Sequence, residues 1–127
     1  MNRIPPKLRR AIAGDPTMAR CFRHGEGNCS GRVEWEHAHT YAGSQIQERW
    51  AIVPCCTFHH RGKGLDKNLN RYASLLRMTE AEMEEATRKY PRTDWQQLND
   101  WLGIKYPTFI LVNAAAVGPM FVRFGEG

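Results

Sequence analysis

The 127-residue sequence has no run of about 18 apolar residues, so no segment is long enough to cross a bilayer as a helix. Its first residues, MNRIPPKLRR, carry charge without the apolar stretch that a secretory signal needs, and we expect a cytoplasmic protein with no membrane partner. Internal repeats and low-complexity tracts are missing too, which excludes repeat architectures and leaves one ordinary domain over residues 1–127. Cysteine is scarce, with four residues. In a reducing compartment four thiols argue for metal ligation over disulfides, and a bridge between the adjacent Cys55 and Cys56 would be strained.

What the sequence does have is concentrated. EWEHAHTYAGSQIQERWAIVPCCTFHH, residues 34–60, holds four of the five histidines and two of the four cysteines. Charge is also uneven: residues 1–77 carry 13 Lys and Arg against 6 acids, a balance of +7, whereas residues 78–127 carry 5 against 7, a balance of −2. The basic excess thus travels with the Cys and His cluster, and a positive field around a candidate site suits a polyanion such as nucleic acid.

PPKLRRAIAG reads as a short helix opened by prolines and stopped by Gly14 in a left-handed cap. Alternation from Val33 places Val33, Trp35, His37 and His39 on one strand face and Glu34, Glu36 and Ala38 on the other. RWAIVP is a second strand candidate that runs into CCTFHH. Beyond RGKG the spacing becomes helical, with Leu65, Leu69, Tyr72, Leu75 and Leu76 in one apolar stripe. Thr79 with Glu82, and Thr93 with Gln96, fit capping boxes for two covering helices within residues 78–103. The stretch 104–127 reads as strand, loop or tail.

Cys21 and Cys29 are separated by the loop FRHGEGN, and Cys56 is followed by His59 with two residues between. Two pairs of soft ligands flanking a hairpin predict a tetrahedral structural Zn2+ site made of Cys21, Cys29, Cys56 and His59, with Cys55 as the rival of Cys56. Metal binding at such a site contributes directly to folding. His60 follows His59 by about 100° around a helix axis and must point elsewhere, toward the hairpin that carries Glu36 and His37.

An acidic residue and a His at 36 and 37, followed by AIVPCCTFHH at 51–60, resemble the pattern of HNH endonucleases, the ββα-metal or His-Me finger family, and in particular small phage and prophage nucleases. The resemblance covers residues 21–77. It implies an α+β fold in which a zinc-stapled ββα-metal core is flanked by helices, and a metal-dependent endonuclease acting on DNA. Carried over residue by residue, His37 is the general base. Glu36 and His60 hold one catalytic divalent cation, Mg2+, Mn2+ or Ni2+. His39, two residues from His37 on the same strand face, is a candidate auxiliary that could orient a phosphate, ligate the metal or stand in as base. Glu36 stands where Asp is commoner in the family, His59 replaces a fourth zinc thiolate, and Ala51 occupies the place of the middle Asn.

Arg61, Lys63, Lys67 and Arg71 follow the site and would put positive charge along the helix approaching the phosphates. A zinc deaminase would show H-x-E and P-C-x-x-C; here the text is EHA, and Phe58 stands where the second Cys should be. The competing possibility is a noncatalytic zinc-binding module that docks DNA or a protein, and a structural component of a phage particle is a third.

Overall fold

The computed structural model describes residues 4–23, 29–62, 65–114 and 118–123. Pro6, with its fixed φ and no N–H to lose, opens α1 (Pro6–Ala13). Gly14 ends that helix at φ −85°, so the left-handed cap expected there does not form. The chain is turned instead by Asp15, whose carboxylate accepts the Thr17 N–H and opens a 3-10 turn over Pro16–Met18.

The strand of alternating Glu and aromatic residues, β1 (Val33–His37), pairs antiparallel with β4 (Ile52–Cys56), with Val33 opposite Cys56, Glu36 opposite Val53 and His37 opposite Ile52. Between them a two-residue-per-strand hairpin, β2 (Thr40–Tyr41) and β3 (Ser44–Gln45), turns through Ala42 and Gly43 at φ 50° and 83°. That primed turn matches the right-handed twist of its strands. Arg49–Ala51 form a 3-10 turn, so the second long strand starts at Ile52, later than RWAIVP suggested. Arg49 explains the difference: its guanidinium is drawn away to Asp15 at 2.9 Å and Glu82 at 2.6 Å. Arg77, buried, joins the same network through Asp15 and the carbonyl of Ile52, tying α1 to the end of the next long helix.

The five-residue α2 (Thr57–Arg61) follows β4 directly. Asp66 caps α3 (Lys67–Leu76), whose Leu69, Tyr72 and Leu75 enter the core. Leu65 precedes the helix and is exposed, so the stripe begins at Leu69. Thr79 and Glu82 form the expected capping box on α4 (Glu80–Lys89). α5 (Trp95–Lys105) is capped by Asp94, which accepts the Gln97 N–H, in place of the expected Thr93 and Gln96 pair. Within the segment left open by the sequence, β5 (Phe109–Ala114) and β6 (Gly118–Arg123) make an antiparallel hairpin. Phe109 and Phe121 stack at 5.7 Å, and both meet the edge of Phe22.

The fold is therefore mixed α+β, with three two-stranded antiparallel sheets among the described residues. Its main core gathers Trp50, Trp95, Leu69, Leu102 and the Phe22–Phe109–Phe121 group beneath β4 and α3. A smaller core of Ile4, Ile12, Met18 and Ile52 fastens α1 against Trp35 on β1. None of the helices among the described residues is long and apolar enough to cross a membrane.

Candidate functional site

Cys21 and Cys29 precede β1, while Cys56 and His59 occupy the end of β4 and the first turn of α2. Gly31 brings these halves together. It sits at φ 77° where its Cα side meets Thr57 so closely that a Cβ would collide with the Thr57 side chain. The Phe58 N–H also donates to the Ser30 carbonyl at 3.3 Å.

The result is a cluster in which His59 Nδ1 lies 3.4, 3.7 and 3.2 Å from the Sγ atoms of Cys21, Cys29 and Cys56. All four ligand atoms lie within 4.8 Å of one another. Sulfur at about 2.3 Å and nitrogen at about 2.0 Å from a tetrahedral zinc would be separated by about 3.5 Å, so the donor set fits a four-coordinate metal ion. Cys21, Cys56 and His59 are buried, leaving Cys29 as the exposed member. Partial desolvation of its sulfur within the cluster, with the neighbouring thiols, pushes the Cys29 thiol up to about 12, and burial raises Cys21. Burial opposes ionisation at Cys56 as well, but the backbone N–H groups of His59 and Ser30 outweigh it and lower that thiol. Three thiols this close cannot all ionise without a cation among them, which is what a structural metal ion supplies.

Cys55 is not part of the cluster. Adjacent strand residues face opposite ways. Its fully buried Sγ turns into the core toward Asn70 Oδ1 at 3.9 Å.

On the other side of α2, His60 faces a cleft of ≈ 540 Å³ lined by Arg9, Arg32, Glu34, Glu36, His37 and His60, among others. The predicted trio Glu36, His37 and His60 therefore shares one cavity. His60 Nδ1 is 2.6 Å from Glu34 Oε1, and its Nε2 is 3.8 Å from Glu36 Oε1. Asn70 Nδ2 donates to the other oxygen of Glu36 at 2.8 Å. Burial raises the Glu36 carboxyl above its ordinary value, against the charges of His60 and Lys67. The hydrogen bond from His60 lowers Glu34. His37 Nε2 lies 2.9 Å from Gln47 Oε1.

His39 does not join this cleft. β1 ends at His37, which breaks the alternation expected to keep His37 and His39 on one face. His39 is buried beside Trp50 and Trp95, with Nε2 3.1 Å from the Ser74 hydroxyl. Burial, aided by the Arg71 charge, lowers its pKa to about 3, so it is a neutral core residue and no auxiliary to the cleft.

The expected basic row along the helix is also divided. Arg61 pairs with Glu34, Arg71 donates to Asn68 at 3.1 Å, and Lys67 acts on Glu36 through its charge. Lys63 lies outside the described residues.

Sequence reasoning missed Glu34, Gln47, Asn70, Arg9 and Arg32. Glu34 was signalled by its position two residues before Glu36 on one strand face. Gln47 follows β3, Asn70 lies on α3 and Arg9 on α1, and nothing in their local spacing pointed to His37, to Glu36 or to the cleft. Comparison of the chain with protein-family models, with curated proteins and with solved structures found no match.

Proposed function

We propose that the protein is a metal-dependent endonuclease that hydrolyses DNA phosphodiester bonds, a phage- or prophage-type DNA-processing enzyme on a zinc-stapled ββα-metal (HNH-like) core. The supporting observation is the convergence of Glu36, His37 and His60 on one cleft, behind the helix whose other side completes the Cys3His cluster. Zn2+ is the ion suited to that cluster, and its role is to hold β1, β4 and α2 in place.

His37 is the general base. Gln47 Oε1 can only accept, so the Nε2 facing it carries the proton of the neutral ring, and Nδ1 takes a proton from the attacking water. Arg9 and Arg32, exposed at the cleft, provide positive charge to hold phosphates beside that base. A divalent cation held by Glu36 and His60 would supply Lewis-acid stabilisation of charge on the phosphate and the leaving oxygen, and an imidazole donor suits Mn2+ or Ni2+ at least as well as Mg2+.

Incubation of purified protein with supercoiled plasmid in Mg2+, Mn2+, Ni2+ or EDTA tests this function. Cleavage should require the cation, and His37→Ala should slow single-turnover cutting by about 10² to 10⁴ with zinc content unchanged. His60→Ala should recover in part at high Mn2+, because it weakens cation binding and leaves the base in place. A wild-type protein that cuts under none of these conditions, or a His37→Ala protein that cuts normally, means that the chain is a noncatalytic zinc-binding module.

A further inference from the structure

The imidazole of His60 lies between two carboxylates: Nδ1 is 2.6 Å from Glu34 Oε1 and Nε2 is 3.8 Å from Glu36 Oε1. These two separations describe different relationships. The first is a short charge-assisted hydrogen bond, with the ring donating Nδ1–H to Glu34. The second is too long for a hydrogen bond but lies within the span of two ligands on one ion, at most about 4.2 Å for metal–ligand distances near 2.1 Å.

The partners on either side reinforce that division. The second oxygen of Glu34 is taken by Arg61, so both of its oxygens are engaged and its carboxylate is fixed in orientation. The second oxygen of Glu36 accepts from the buried Asn70 amide, which leaves Oε1 facing Nε2. An imidazole with a proton on one nitrogen offers its lone pair at the other, and the partner of the first nitrogen selects which is which.

We propose that Glu34 is the positioning residue of the cation site: by accepting Nδ1–H it keeps the His60 ring in the tautomer and orientation that present the Nε2 lone pair to an ion shared with Glu36. This assignment rests on the endonuclease proposal above, and it places both glutamates of EWEH on one job with different parts. Glu36 binds the ion, and Glu34 binds the residue that binds it.

The test is Mn2+ titration of the zinc-loaded protein by electron paramagnetic resonance, together with 15N NMR of the neutral His60 ring. Wild type should bind Mn2+ and show the Nδ1–H form. Glu34→Leu, similar in volume but without an acceptor, should weaken Mn2+ binding about 10- to 100-fold and return the ring to a mixture of tautomers. Glu34→Gln retains an acceptor and should restore most of both signals. Zinc content reports whether each variant is folded; should the Leu variant fail to fold, Glu34→Ala takes its place. Unchanged Mn2+ affinity and tautomer in Glu34→Leu would overturn the positioning role while wild-type Mn2+ binding and cleavage leave the endonuclease proposal intact. Wild type that binds no Mn2+ at millimolar concentration overturns both.

Discussion

The two sides of α2 carry clusters of different chemistry, although His59 and His60 are neighbours in sequence. His59 faces three thiols, is buried, and completes a closed set of four donors. His60 faces a cleft, is partly exposed, and has two carboxylates around its ring and space beyond them. Structural metal sites are closed by protein ligands, and catalytic ones keep positions open for water and substrate. On the function proposed above, one short helix would serve both kinds of site, because successive residues on it point about 100° apart.

The largest effect is expected on the closed side. Cys56→Ser should abolish metal binding and unfold the domain, since binding at such sites contributes on the order of 10 kcal/mol to folding. Elemental analysis and circular dichroism check this, with Cys55→Ser as the control that keeps its metal. A Cys56→Ser protein that stays folded and loaded would mean that the closed cluster does not hold the fold.

A third histidine, His39, belongs to neither side of α2. Its folded pKa is about 3, lowered from 6.5. Below pH 6.5 the unfolded chain therefore takes up a proton that the folded chain refuses until pH falls near 3. The unfolded state binds more protons throughout that window, so stability falls with decreasing pH by about 1.4 kcal/mol per unit. Urea unfolding from pH 7 downward measures the slope. His39→Asn, which keeps a polar group for Ser74, should flatten it; an equal slope in that variant would place the acid sensitivity elsewhere.

The smallest effect concerns the open side's rim. If Arg9 and Arg32 hold phosphates, replacing either with Ala should reduce the salt slope of DNA binding by about 0.9 per lost contact. Arg71→Ala should change it little, because Arg71 is occupied with Asn68. Fluorescence anisotropy against salt distinguishes them, and the reverse order would return phosphate binding to α3.

Legibility followed locality. The Thr79–Glu82 box, the alternation of β1, the strand entering CCTFHH, and the Cys21–Cys29 and Cys56–His59 pairs depend on short spacings along the chain, and each could be read before the chain was folded, with Cys55 left as the rival of Cys56. Where a remote partner competed, local spacing misled. Arg49 turned toward Asp15 and Glu82 and delayed β4, and the end of β1 at His37 sent His39 inward to Ser74 and the tryptophans. Asp94, one residue closer than Thr93, took the cap of α5.

Local order along the chain set which chemistry was available: soft donors in two spaced pairs, carboxylates alternating along a strand, and two adjacent histidines that a helix must separate. Periodicity and ligand spacing are properties of neighbours along the chain, so they survive without a fold. Tertiary structure alone decided which of Cys55 and Cys56 joins the cluster, that Glu34 takes Nδ1 of His60 while Glu36 faces Nε2, and that Arg9 reaches the cleft from α1. Those choices depend on distances between segments tens of residues apart, which only packing of α1, α2 and α3 about the β1–β4 hairpin sets.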